Sequence, residues 1–144
     1  VRVMLTSLGP NTPAGVHRVE QKIVFKDMQQ RGGKAPFYLE SVPHVVFFKG
    51  DFALHGAYWH DAFGARISHG CPNLSPPDAR FVFDWIGPAL PPGYLAIYPT
   101  AKDPGGVVRV RNPYVFRSWE PKPAKPRRLR RRRPPRHRPR PRAR

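Results

Sequence analysis

The feature that most constrains how this chain folds is an abrupt change of composition close to residue 119. Residues 121–144 contain 13 Lys and Arg and no Asp or Glu, and their only apolar residues besides proline are Leu129 and two alanines. Such a segment buries too little apolar surface to offset the entropy of ordering its backbone. We therefore predict a folded domain over residues 1–118 and a disordered Pro/Arg-rich tail over residues 119–144.

Most of the charge of the protein belongs to this tail. The formal net charge is +17, whereas residues 1–120 carry 13 basic and 9 acidic side chains, a net +4. A polycationic tail binds nucleic acid through counterion release, but it lacks the aromatic residues on which bases stack, so we expect no specific nucleic acid partner. An anionic polymer or a membrane surface is the candidate partner. The alternative is a solvated extension without a partner.

The residues before the tail are patterned for β-structure. Short apolar and β-branched runs, bounded by Gly, Pro, Asn and Asp, are typical of strands. We predict strands within residues 1–5, 16–25, 52–54, 94–98 and 107–111, and two further pieces within residues 36–48 that are broken near Pro43. Since no run of 18 apolar residues occurs, the sequence predicts no membrane-spanning helix.

One segment has the pattern of a helix. In Ser75-Pro76-Pro77-Asp78, Ser75 suits the N-cap, Pro76 the first helical position and Asp78 the first turn. The predicted apolar face consists of Ala79, Phe81, Val82, Trp85 and Ile86. Phe83 is also expected in the core, and Gly87-Pro88 ends the helix. The predicted fold class is therefore mainly β, with one short helix just after Cys71.

Cys71 is the single cysteine of the chain, and its surroundings suggest a nucleophile. A thiol with the ordinary pKa of about 8.5 is only a few per cent thiolate at neutral pH. Acyl transfer by a thiol therefore needs an imidazole to take the proton, a group that orients the imidazole, and N–H donors for the oxyanion. His55, Gly56 and the Ser68-His69-Gly70 loop supply these groups. A small buried thiol without chemistry is the alternative.

The segment from His55 to Asn73 resembles the signature of the L,D-transpeptidase catalytic domain, the YkuD-like family. That signature is a His, a spacer of about a dozen residues or more, then Ser/Thr-His-Gly-Cys, a hydrophobic residue and Asn or Arg. Residues 12–15 are similar to the Thr-Pro-x-Gly turn of the same family. The resemblance covers about residues 8–111. It implies an L,D-transpeptidase-like β-sandwich, which we expect to be truncated at its N-terminus.

The resemblance also implies roles for the residues that match the signature. Cys71 matches the nucleophile that forms a thioester with a peptidoglycan stem peptide, and His55 matches the general base. Gly56 matches the residue whose carbonyl orients that base. His69 matches a supporting histidine of the catalytic group. Pro72 departs from the pattern, because this position usually holds Ile, Val or Leu, and proline removes one backbone N–H.

Further residues are implied as parts of the oxyanion and substrate sites. The backbone N–H of Gly70, with that of the nucleophile, is the predicted oxyanion donor, and Ser68 is the predicted loop-fixing hydroxyl. Asn73 is expected to bind polar groups of the peptide. Tyr58 and Trp59 are candidates for the substrate groove, with packing against the domain as the equal alternative.

The function implied is L,D-transpeptidation, which forms cross-links or attaches proteins to the cell wall. The alternatives are an L,D-carboxypeptidase that uses the same site and a non-catalytic protein that binds anionic polymer through its tail. No cofactor is expected. No metal is expected either, because no ligand pair has the usual zinc spacing. We expect an extracytoplasmic location, in the periplasm or cell wall, although no export signal is visible in the chain.

Overall fold

The structure of the protein is a computed structural model. It describes Met4, Thr6, Ser7, Gly9 and residues 11–30 and 36–111. The predicted tail and most of the strand predicted at residues 1–5 lie outside these residues. No helix in this described part is long and apolar enough to cross a membrane.

The described residues form seven strands and one helix. These elements are β1 (Gly15–Arg18), β2 (Gln21–Gln30), β3 (Phe37–Lys49), β4 (Phe52–Gly56), β5 (Asn73–Leu74), α1 (Pro76–Trp85), β6 (Ala96–Ile97) and β7 (Val107–Val110). The prediction of a mainly β domain with one helix after Cys71 is confirmed. Of the strand predicted at 94–98, only Ala96 and Ile97 are in a strand, so β6 is shorter than expected.

The strands form two sheets. One has five strands in the order β5-β4-β3-β2-β6, and the other consists of β1 and β7. All neighbours are antiparallel except β4 and β5, which run parallel. Because a parallel neighbour needs a long crossover, residues 57–72 must leave the sheet between these two strands. Cys71 lies near the end of this crossover.

The strand predicted over residues 16–25 is in fact two strands, because the chain changes sheets in its middle. The N–H of Val19 donates to the Gly106 carbonyl oxygen (2.9 Å), whereas the N–H of Glu20 donates to that of Phe47 (2.8 Å). Adjacent residues thus bond to different partners, and β1 ends where β2 begins. The apolar pattern continues across this point, so it gave no sign of the change.

The predicted break near Pro43 is also wrong. β3 runs through Pro43, which is paired with Phe25 of β2. The irregularity lies in its neighbours instead, since Ser41 and His44 have positive φ angles of 50° and 55°. Proline lacks the N–H for one ladder bond, and the strand accommodates it by local distortion rather than by ending.

The helix begins as the sequence predicts. Ser75 is the N-cap, its side chain accepts a hydrogen bond from the Asp78 N–H (3.3 Å), and Pro76 is the first helical residue. The helix packs on the five-stranded sheet, where Phe83 and Ile86 are buried against Val46. This helix, which follows β5 directly, covers one face of the sheet.

The predicted apolar face of α1 is only partly correct. Ala79 and Phe83 are buried, four residues apart on one side of the helix. Phe81 and Trp85 share the same spacing on another side, and they are 40% and 73% exposed. The sequence therefore offers two apolar stripes, and only packing against the sheet decides which one is covered.

A lysine lies inside this interface. Lys22 of β2 is buried, and its ammonium donates to the carbonyl oxygens of Ile86 (2.8 Å) and Pro88 (2.7 Å) just after the helix. A cation is favourable at the end of a helix, where carbonyl groups lack partners. The ammonium also lies 4.5 Å from the centre of the Phe83 ring. Burial nevertheless lowers the pKa of Lys22.

The two phenylalanines of α1 should respond differently to truncation. We expect Phe83→Ala to lower the free energy of unfolding by about 3–5 kcal/mol, because it leaves a cavity in the core. Phe81→Ala should cost less than about 1 kcal/mol, since the side chain is already exposed. Urea denaturation of both variants measures this. Equal losses would show that α1 is placed on the wrong face.

Candidate active site

Cys71 lies in a loop whose shape depends on the preceding glycine. Gly70 has a φ of +153°, and a Cβ at this position would lie 2.6 Å from Cε1 of Phe52. Its N–H donates to Oγ of Ser68 (3.1 Å). Ser68 thus bonds the Gly70 backbone through its hydroxyl, and its role in fixing the loop stays a prediction. The same bond occupies the Gly70 N–H, whose role as an oxyanion donor stays a prediction.

Two residues near the start of the described chain, Gly9 and Thr12, pack against this loop. A Cβ on Gly9 would lie 2.4 Å from both the Gly70 nitrogen and the Ser68 carbonyl oxygen, so the two backbones are in close contact. Oγ1 of Thr12 donates to the Gly70 carbonyl oxygen (2.6 Å). Thr12 belongs to the Thr-Pro-x-Gly turn noted in the sequence. The sequence showed the motif, but it did not show that the motif contacts the loop of residues 68–71.

Parallel pairing places β4, which carries His55, beside β5, which follows Cys71. His55 pairs with Asn73. On the other side of Asn73, Ser7 exchanges two backbone hydrogen bonds with it (2.9 and 3.0 Å). Cys71 precedes Asn73 by two residues, as Ala53 precedes His55, so Cys71 comes opposite Ala53. Cys71 thus lies just before β5, two residues from the strand partner of His55.

The Cys71 thiol is held by the turn between β3 and β4. Its S–H donates to the carbonyl oxygen of Asp51, with 3.6 Å between sulfur and oxygen. Burial raises the pKa of Cys71, and although a hydrogen bond with the Ala53 backbone opposes this, the Asp51 carboxylate reinforces it. Cys71 is therefore a protonated thiol at neutral pH.

His55 is buried, with 3% of its surface exposed. Its Nδ1 lies 3.2 Å from the Gly56 carbonyl oxygen, which is the contact that the family resemblance implies. Since a carbonyl only accepts, Nδ1 carries the proton and Nε2 has a free lone pair. Burial lowers the pKa of His55 to about 4, against the effect of this hydrogen bond, and nearby His60 lowers it further. At neutral pH His55 is an uncharged imidazole.

Pro72 takes part in the pairing despite its missing N–H. Its carbonyl oxygen accepts a hydrogen bond from the His55 N–H (3.3 Å). β5 begins only at the next residue, Asn73. Through this bond, Pro72 still ties the loop of residues 68–71 to β4, the strand that carries His55.

The remaining predicted site residues are His69, Trp59 and Tyr58. The His69 ring packs against Phe37 of β3, with 5.0 Å between centroids, and Trp59 stacks on His55 at 5.8 Å. Tyr58 is exposed and its hydroxyl donates to the Glu40 carbonyl oxygen. This hydrogen bond ties the segment after β4, which carries Tyr58, to β3.

These elements enclose one cleft of about 760 Å³, within the range of ligand sites. Seven of the predicted site residues line it: His55, Trp59, Ser68, His69, Gly70, Cys71 and Asn73. Gly56 and Tyr58 are not among the lining residues. The opposite wall, with Met28, Phe37 and Leu39, comes from the hairpin of β2 and β3. Nothing in the sequence indicated that wall, because it depends on tertiary packing.

Two residues near Cys71 were missed at the sequence level. Asp51 acts through its main chain, and its residue type gives no sign of this. His60 was not singled out in the sequence, but its Nε2 lies 3.0 Å from Nδ2 of Asn73. Within the described ranges, no three His, Cys, Asp or Glu side chains come together as a metal site would require.

A family comparison agrees with this geometry. Residues 1–110 match the model of the YkuD family, described as the L,D-transpeptidase catalytic domain. The chain belongs to this family. Among curated proteins, none matches the chain.

Solved structures support the assignment. An L,D-transpeptidase from Mycobacterium smegmatis has 27% identity and a TM-score of 0.60, and the match covers 78% of this chain and 49% of that one. The LD transpeptidase LdtMt1 in complex with imipenem has 30% identity and a TM-score of 0.54, covering 58% and 44%. L,D-transpeptidase 3 from Mycobacterium tuberculosis with a faropenem-derived adduct has 28% identity and a TM-score of 0.52, covering 57% and 40%. The chain thus spans less than half the length of each.

The burial of His55 predicts that the free energy of unfolding depends on pH. The pKa of His55 is about 4 in the folded protein against an ordinary 6.5, so its protonation favours unfolding. The contribution to stability is fully present above pH 6.5 and is lost as the pH falls to 4, by roughly 3 kcal/mol. Urea denaturation of wild type and His55→Gln at several pH values measures it. Parallel curves between pH 6.5 and 4 would contradict the burial of His55.

Gly70 provides a test of the loop geometry. We expect Gly70→Ala to lower the free energy of unfolding by at least about 1 kcal/mol, because of its positive φ and the contact with Phe52. It should also change the rate at which iodoacetamide alkylates Cys71. Gly64→Ala is the matched control, since Gly64 has a φ of +93° but no atom within 4 Å of a Cβ. An equal effect of both variants would show that the Phe52 contact is unimportant.

Proposed function

We propose that the protein is a cysteine acyltransferase that performs L,D-transpeptidation on peptidoglycan stem peptides. The main support is the cleft that both His55 and Cys71 line, next to the pairing of β4 with β5. The family assignment and the neighbours in complex with imipenem or with a faropenem-derived adduct agree with it. The site of action is then outside the cytoplasm, where peptidoglycan lies.

The first half-reaction makes a thioester. The Cys71 side chain leaves the Asp51 carbonyl, turns toward His55 and transfers its proton to Nε2 as sulfur attacks the carbonyl carbon. That carbon belongs to the bond between the L-centre of the third stem residue and the terminal D-residue. The tetrahedral intermediate collapses when His55 returns the proton to the leaving amine. A D-amino acid is released and the peptide remains on sulfur.

The second half-reaction resolves the thioester. An amine of a neighbouring stem, or of a protein to be attached, gives a proton to Nε2 of His55 and attacks the thioester carbon. The C–S bond breaks, and sulfur recovers its proton from His55. With water in place of the amine, the same steps release a tripeptide stem, which is the carboxypeptidase reaction.

The neutral resting pair has a consequence for this mechanism. The high pKa of Cys71 and the low pKa of His55 keep the thiol and imidazole uncharged until substrate arrives. Proton transfer therefore accompanies the attack instead of preceding it. A hydrogen bond from an N–H group to the oxyanion is stronger in a cleft of low polarity than in water.

Acylation by imipenem tests the nucleophile. Intact-mass spectrometry should find one covalent adduct on wild type and none on Cys71→Ala. His55→Gln should slow the adduct at least about 100-fold, since general base catalysis supplies a factor of that size. Thermal melts confirm that both variants fold. An equal adduct on Cys71→Ala would refute the assignment.

A tetrapeptide stem with an added amine acceptor separates the candidate reactions. A new amide product supports transpeptidation, whereas a tripeptide alone supports the carboxypeptidase. Deleting residues 121–144 should leave either reaction intact. A protein that only binds anionic polymer would form neither product.

A further inference from the structure

We propose that His60 is a positioning residue that sets the orientation of the Asn73 carboxamide for binding peptide N–H groups in the cleft. This inference rests on the proposed function, because it concerns how the stem peptide is bound. Asn73 was expected to contact the peptide. The residue that controls it was not identified by the sequence.

The main chain of Asn73 is fixed on three sides. Ser7 makes two backbone hydrogen bonds to it, Oγ1 of Thr6 donates to its carbonyl oxygen (2.8 Å), and His55 pairs with it in the sheet. Only the side chain retains freedom, and 4% of the residue is exposed. The orientation of its carboxamide is therefore decided by whichever group bonds it.

His60 is that group. Its Nε2 lies 3.0 Å from Nδ2 of Asn73. An amide nitrogen only donates, so Nε2 of His60 must be the acceptor and the ring proton must be on Nδ1. With Nδ2 engaged, the oxygen Oδ1 is the acceptor that Asn73 can offer in the cleft it lines.

Packing holds the His60 ring in place. Trp59 meets it edge-on at 5.8 Å between ring centroids and Phe63 lies at 5.1 Å, so two aromatic rings pack against it. Ser7 also steadies this loop, because its Oγ donates to the Ala62 carbonyl oxygen (2.7 Å). The same residue thus fixes both the Asn73 backbone and the loop that carries His60.

The cost of this arrangement supports a functional role. Nδ1 of His60 is buried and has no hydrogen-bond partner. Buried polar atoms without partners are rare and destabilise the folded protein. A purely structural side chain at this position would avoid that cost. An imidazole is explained if Nε2 is needed to hold Asn73.

The substrate chemistry follows from the acceptor. An oxygen at Asn73, next to His55 in the register, can accept an amide N–H of an extended peptide bound along the strand. Recognition of this kind selects peptides by their backbone and by the carbonyl–amide spacing on each side of the scissile bond. We infer that His60 contributes to affinity for the peptide and has no part in the acyl-transfer steps.

Binding to an inert protein tests this without requiring turnover. In the full chain carrying Cys71→Ala, the Kd of a tetrapeptide stem is measured by calorimetry. Adding His60→Leu should weaken binding about five- to tenfold, the value of one hydrogen bond. Asn73→Leu should weaken it equally, and the double variant no further, because the two residues act as one unit. His60→Gln, whose Oε1 can accept from Nδ2, should restore the Kd to within about twofold.

Two further measurements keep the outcomes distinct. In the protein with its native Cys71, iodoacetamide alkylation should be unchanged by His60→Leu, since the thiol environment is not altered. NMR should detect a coupling between Nδ2 of Asn73 and Nε2 of His60. Independent, additive losses, absence of the coupling, or no binding of the stem to Cys71→Ala would each overturn the proposal. Failure of acylation with normal binding would instead refute only the proposed reaction.

Discussion

The site depends on a very short parallel pairing. β5 has two residues, yet it joins β4 on one side and Ser7 on the other, and it leads directly into α1. These few backbone bonds set the relative positions of His55 and Asn73, and through them that of Cys71. A slip of one residue would turn Asn73 away from the cleft, because side chains alternate along a strand. The burial of α1 against β3 and β4 holds the pairing in register.

Low polarity at this pairing explains the electrostatics of the site. His55 and Cys71 are shifted in opposite directions by the same cause, since burial disfavours both the imidazolium and the thiolate. A site of this kind keeps a mildly reactive thiol in the absence of substrate. It differs from cysteine sites in which a preformed ion pair activates the nucleophile before substrate binds. In the proposed reaction, specificity would then come from the cleft and from the groups that bind the peptide.

Local patterns predicted the fold class and the residues of the signature, and they did so for physical reasons. The N-cap at Ser75 and the strand before His55 are set by a few adjacent residues, which the sequence displays directly. The change of sheet at Val19, the continuous strand through Pro43 and the exposure of Trp85 all depend on distant partners. At the site, the signature pointed to Cys71 and His55, and both line one cleft. Asp51 contributes only a carbonyl group, so its residue type carried no information about its role.

The contacts of Gly9 and Thr12 with the loop of residues 68–71 make the surroundings of Cys71 depend on the completion of folding. Thr12 and Gly70 are 58 residues apart in the chain, so most of the domain must be in place before they meet. Contacts between such distant residues are slow to form, because a long loop must close first. A partly folded chain would hold its cysteine in an unsupported loop. The Cys71 thiol would thus reach its final surroundings only in a molecule whose sheet is already complete.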